Sequence, residues 1–195
     1  MATVAAPYGL RPVSLIGSQA NVGSLRQYKI ASAYNTNIFM GDLVSLVVGG
    51  TVEKNTGTTT ATPVGVFMGV EYVDSIRGLV HTNWWKAGTA VPTGTTAWAY
   101  IVDDPDMLFE IQSDEAVSQN GIGTNAAIVQ NAGNASTGNS RVALDGSTIA
   151  NSATLPLRIV DYVKRPGSNI GDTYTDLVVR INTHFNRSTT GIAAA

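Results

Sequence analysis

The chain has 195 residues, no cysteine, two histidines, 13% charged residues and a formal net charge of −2. The missing thiols exclude disulfides and thiolate metal sites, and the balanced charge leaves no electrostatic footprint for nucleic acid. A hydrophobic share of 44% supports a packed core and argues against wholesale disorder.

Residues 1–24 read as an extended arm. Pro7, Gly9, Pro12, Gly17 and Gly23 interrupt any helical or strand period, yet Tyr8, Leu10, Val13, Leu15 and Ile16 are poorly suited to water. Such a segment is expected to lie against its own body or against a neighbour. The start of the chain has no basic stretch followed by a long apolar one, so no secretory signal is expected, and the cytoplasmic side is the expected compartment. No stretch reaches the roughly 18 apolar residues of a membrane-spanning helix.

Short strands are expected next. Residues 26–31 alternate. Residues 43–48 form an apolar run closed by Gly49-Gly50, which turns the chain into Thr51-Val52-Glu53, and 54–62 form a polar loop or hairpin tip. The clearest strand is 64–73. Val64, Val66, Met68, Val70 and Tyr72 are expected on one face, with Gly65, Phe67, Gly69, Glu71 and Val73 on the other. Gly65 and Gly69 suit strong coiling or the close approach of another strand. Trp84 and Trp85 are adjacent on a strand, so one is expected inside and the other outside or at an interface.

Residues 96–102 and 107–112 alternate on either side of the break at Asp103-Asp104-Pro105-Asp106. A short helix or turn is expected within 113–126, with Ala116 and Val117 inside. Residues 131–153 read as a compact loop, 157–163 and 175–185 as strong strands, and 188–195 as a loose tail. The sum is an all-β fold, a small β-barrel or β-sandwich with an extended N-terminal arm. Its organisation is arm 1–24, β-rich body 25–187 and flexible tail 188–195.

Few residues invite chemistry. Asp103, Asp104 and Asp106 are the best metal candidates, because hard cations want several carboxylate oxygens. The calcium-loop spacing is absent, however, and Asp before Pro is ordinary turn chemistry. Residues 121–126, GIGTNA, match a loose dinucleotide fingerprint without the strand and helix that must flank it. His81 and His184 pair only if the fold brings them together. Trp84, Trp85 and Trp98 are candidates for a sugar platform. The basic spot Lys164-Arg165 runs into Pro166-Gly167 and reads as a turn. No catalytic residue, metal or cofactor is assigned, and an enzyme is not expected.

The order APYGLRPV, RQYKIASAYNTNIFMGDLVSLV, VGVFMGVEYVD, a tryptophan-containing strand, AYIVDDPDMLFEIQ, LPLRIVDYV and TDLVVRINTH resembles small head proteins of tailed bacteriophages, notably those of cyanobacteria. The likeness runs from about Ala6 to Asn186 and rests on strand blocks, not on catalytic motifs. It implies a cement, or decoration, protein on the outside of a capsid, assembled in the host cytoplasm. It also implies a homotrimer or similar cluster whose partner is the major capsid protein, with neither nucleic acid nor membrane as partner. Tyr8, Leu10, Arg11, Val13, Leu15 and Ile16 are the expected partner-contact residues, on the idea that the arm clamps a neighbour's strand edge. The alternative is a carbohydrate- or receptor-binding β module of a tail or fibre.

Overall fold

The computed structural model describes residues 4–17, 19–20 and 23–192. Positions 1–3, 18 and 21–22 of the expected arm, and 193–195 of the expected tail, lie outside the described residues. The fold is all-β. In chain order the strands are β1 (Arg11–Leu15), β2 (Gln19–Ala20), β3 (Arg26–Ile30), β4 (Ile38–Phe39), β5 (Leu43–Val47), β6 (Thr51–Lys54), β7 (Gly65–Asp74), β8 (Gly78–Thr82), β9 (Trp84–Trp85), β10 (Ala97–Val102), β11 (Met107–Gln112), β12 (Asn125–Val129), β13 (Ala143–Ala150), β14 (Leu157–Tyr162) and β15 (Asp176–Ile181). Helical structure among the described residues is confined to single turns at Gln119–Gly121 and Phe185–Arg187.

Five strands close into a barrel in the order β10-β3-β6-β5-β7, with β7 pairing back onto β10. Its pairings are antiparallel except β3 with β6, which meet in parallel at Lys29 and Thr51. Strand β8 leaves the ring as the second arm of a hairpin with β7. Ile30, Val44, Val52, Phe67, Val70, Ala97, Ala99 and Ile101 are all buried in the core of this unit. Small Ala97 and Ala99 of β10 share this core with larger residues, Phe67 among them, the mix of sizes that fills the interior of a narrow barrel.

The second sheet is antiparallel throughout, in the order β13-β12-β14-β15-β11-β1-β2. It curls until Ser113, just past β11, bridges to Leu144 on β13. Phe109, Ile111, Ile128, Leu144, Leu157, Ile159, Leu177 and Val179 fill its core. The two cores share strands. Leu43, Val66 and Val102 enter the second core, while their chain neighbours Val44, Phe67 and Ile101 enter the barrel core. Successive side chains of a strand point to opposite faces. That is why these stretches read as unbroken apolar runs and not as half-exposed strands.

Several expectations change. The even spacing expected over 64–73 is broken by a bulge at Met68: Tyr100 pairs with Gly69, and Ile101 with Phe67. The extra residue rephases the pleat, so Phe67 and Val70 both join the barrel core. Gly65 is obligatory, since a Cβ there would drive into the Val102 carbonyl and come within 2.7 Å of Ile101 Cγ2. Residues 143–150, expected as loop, form β13. Ala116, expected inside, is exposed, whereas Val117 is buried.

The expected arm is woven into the body. Strand β1 pairs along β11, and Leu10 is buried in the second core. Gly9 N–H donates to the Val142 carbonyl at 3.2 Å and Leu10 N–H to that of Gly41 at 3.0 Å. Gly9 has a φ of +73°, and a Cβ there would meet Ser140 Cβ at 2.6 Å, so only glycine admits this crossing. Of the two supports expected for the arm, its own body is the one the fold supplies, through a partner strand, β11, that lies far downstream in the sequence.

Candidate functional site: a partner-contact surface

Of the expected contact residues, Leu10 is buried in the chain's own second core, at 1% exposed. Tyr8 is half-buried against the body, and Arg11 is exposed beside it. The Tyr8 hydroxyl donates to Asp176 Oδ1 at 3.1 Å, and the Arg11 guanidinium lies 4.1 Å from the Tyr8 ring centroid. Burial first, then the charge of Asp176, raises the Tyr8 phenol well above its ordinary value, so it remains a donor. Leu15 is half-buried against the second core. Val13 and Ile16 remain exposed.

The aspartate cluster is spoken for. Asp103 Oδ2 accepts from the Tyr28 hydroxyl at 2.8 Å and pairs with Arg26 Nε at 3.1 Å. Burial first, then this bond to Asp103, pushes the Tyr28 phenol up to about 12. Asp104 Oδ1 accepts from the Asp106 N–H at 2.8 Å, and Asp106 pairs with Arg187. Among the described residues, no group of three or more His, Cys, Asp or Glu is placed to hold a metal ion. The GIGTNA segment runs from a single helical turn into β12, a strand where a nucleotide site needs a helix.

The histidines have separate local roles. His81 Nδ1 lies 3.5 Å from Glu71 Oε2 on the β7–β8 hairpin. His184 is buried and accepts at Nδ1 from the Asn186 N–H, capping the last turn. The tryptophans divide as expected. Trp85 is fully buried, with Nε1 donating to the Tyr34 carbonyl at 3.0 Å, while Trp84 stacks on Phe39 at 5.5 Å. Trp98 is half-buried, with Lys29 Nζ 5.7 Å from its ring centroid. Lys164 pairs with Asp161, and Arg165 with Glu110 and Asp176.

A few large apolar side chains also remain outside. The turn between β7 and β8 presents Ile76 at 92% exposed, and Leu79 follows at 61%. This turn is hydrogen-bonded internally: Asp74 Oδ1 accepts from the Ile76 and Arg77 N–H groups at 2.8 and 2.9 Å, and Gly78 takes a φ of +78°. The Arg77 and Ile76 N–H groups hold the Asp74 carboxyl below its usual value. Among the described residues, strand β8 pairs with β7 alone and ends the six-stranded sheet. Val48, beside the β5–β6 turn, is also exposed.

Sequence reasoning passed over Asp42 and the pair Arg158/Arg180. Asp42 is buried and pairs with Lys54 Nζ at 2.9 Å, while its carboxylate accepts from Ser140 Oγ at 2.6 Å and from the Phe39 N–H at 2.9 Å. It ties the barrel to the loop before β13. Arg158 on β14 faces Arg180 on β15 in direct register. Both occupy polar positions of alternating strands, and only the strand pairing reveals that they meet.

No family model, curated protein or solved structure matches this chain.

Proposed function

We propose that this chain is a virion structural protein, a cement or decoration protein that binds the outer surface of a tailed-bacteriophage capsid and bridges its subunits. The observation that carries the reading is the internally hydrogen-bonded apolar tip of the β7–β8 hairpin, with Ile76 almost wholly in water. An isolated isoleucine on a preorganised turn is a poor solubility choice and a good anchor, because little freedom is lost when it docks. The strand-block resemblance supplies the partner, the major capsid protein. The internal pairing of the aspartate cluster and the Lys164–Arg165 spot supports adhesion over bond-making.

Mechanistically, a ligand that binds the assembled lattice and not its dissociated subunits stabilises the lattice by mass action. A homotrimer adds effective concentration, since one docked footprint makes the others intramolecular. The test is to mix purified protein with mature capsids and with dissociated capsid subunits, then pellet. Binding to the lattice alone, with a rise in capsid melting temperature, is the expected outcome. Equal binding to free subunits, or no change in capsid stability, overturns it.

The carbohydrate alternative loses Trp85 to the core and Trp84 to its stack on Phe39. It retains Trp98 and Tyr100, which stand outward on β10, where the Tyr100 hydroxyl bonds Glu71 at 2.7 Å. A glycan array separates the two readings.

A further inference from the structure

We propose that Arg158 and Arg180 form a two-guanidinium site for a carboxylate, supplied by an aspartate or glutamate side chain of the protein to which this chain docks. The docking partner rests on the function proposed above; the anion chemistry does not.

The site lies on the outer face of the second sheet. Strands β14 and β15 place Arg158 directly opposite Arg180, and Leu108 of β11 lies opposite Arg180 on its other side. Directly opposed side chains in an antiparallel pair have Cβ atoms roughly 4.5–5.5 Å apart, and like charges there repel. A guanidinium cannot escape by losing its proton.

Three other arginines have carboxylate partners: Arg26 with Asp103, Arg165 with Glu110 and Asp176, and Arg187 with Asp106. Among the described residues, neither Arg158 nor Arg180 has a carboxylate within ion-pairing distance. Arg158 spends its Nε on Asn125 Oδ1 at 2.9 Å. Arg180 Nε is shut off from water with no acceptor. Burial first, then Arg187 and Arg158, lowers the Arg180 guanidinium from its ordinary value. Asp106, which opposes that effect, is already engaged by Arg187.

A planar oxyanion completes this arrangement. It accepts from both forks, removes the repulsion and fills a bidentate geometry that water fills poorly. A single carboxylate fits better than a nucleic-acid backbone. The surrounding charge is mixed: Asp161 lies across from Val178 two registered pairs along the strands, Arg187 and Asp106 are close by and paired with each other, and the chain is net negative. A phosphate-tracking surface needs a basic stripe.

The experiment is thermal unfolding of the full chain in sodium succinate against sodium chloride at matched ionic strength. Succinate is expected to raise the melting temperature by about 2–4 °C. Arg158→Gln and Arg180→Gln should each abolish that rise. Arg180→Gln should leave the melting temperature in chloride unchanged or higher, because it relieves the repulsion, whereas Arg158→Gln also gives up the bond to Asn125 Oδ1 and should lower it modestly. Arg26→Gln should keep the rise. No succinate-specific rise, a rise that survives in both variants, or a fall of more than about 5 °C in chloride for both variants overturns the site. Capsid pelleting with the same variants should show at least a tenfold loss of affinity. If the succinate effect holds but capsid binding is absent in the wild type, the partner fails and the anion site stands. Oligonucleotide binding that both variants lose overturns the assignment to a protein carboxylate.

Discussion

The Tyr8 hydroxyl reaches Asp176 across 168 positions of sequence, fastening the N-terminal segment to the last strand of the body. Asp176 also holds Arg165 at 2.8 Å, so one carboxylate anchors both the arm and the turn after β14. Tyr8→Phe should cost about 1 kcal/mol, the net worth of one hydrogen bond. Leu10→Ala should cost about 2–5 kcal/mol, as expected of a fully buried leucine. Removing residues 1–24 takes away β1 and Leu10 together and should lower the urea midpoint of the remaining body sharply. An unchanged midpoint would mean that the arm is only laid on the surface.

Asp42 and Lys54 form a nearly buried pair with exposures of 1% and 12%. Asp42→Ala strands the lysine charge and the Ser140 hydroxyl, and should destabilise by about 3–5 kcal/mol in chemical unfolding. Adding Lys54→Met removes the lone cation and should recover part of that loss. A double variant no better than the single one would assign the cost to the bonds from Ser140 and Phe39 instead.

Ile76→Asp alters a residue that touches almost nothing within its own chain, so the melting temperature should stay within about 2 °C of the parent. Capsid pelleting should nevertheless fall by about tenfold or more, because an anchor has been replaced by a charge that must be desolvated. Undiminished pelleting moves the contact surface elsewhere, with Val13 and Ile16 next to be tried.

Acid should weaken the fold through His184. Its pKa lies below the ordinary histidine value, chiefly because the ring is buried. Its Nδ1 must also stay unprotonated to accept from the Asn186 N–H. The folded state therefore binds fewer protons than the unfolded one. The stability this provides is complete above the unfolded value of about 6.5 and is lost as pH falls through the lower folded value. Melting temperature should decline between about pH 7 and pH 5, before most carboxylates titrate. His184→Asn, which keeps a capping acceptor without a titrating ring, should flatten that decline. An identical slope in the variant would assign the titration to another group.

Much of the architecture was legible because it rests on alternation. The strands at 26–30, 65–74, 97–102, 107–112, 157–162 and 176–181 all carry a visible period or apolar run. Strand β13 was hidden because Asp145, Gly146 and Ser147 interrupt its apolar start, and its register with β12 is irregular. The Met68 bulge was hidden because nothing local marks an extra residue; it exists only relative to β10. The division into two cores depends on which strand neighbours which. For the same reason the Arg158–Arg180 encounter and the Asp42–Lys54 pair were beyond the reach of spacing rules. The apolar character of the arm was plain, but the fact that its own body claims Leu10 was not.

Leu43 with Val44, Val66 with Phe67, and Ile101 with Val102 each send adjacent side chains into different cores. The molecule therefore has no seam along which its halves can slide apart. Shear applied to either one must wrench the same three strands, so stretching the chain from its ends should give a single rupture peak. A tug on the β7–β8 finger travels down β7 into both reservoirs at once, spreading the load that one protruding isoleucine receives.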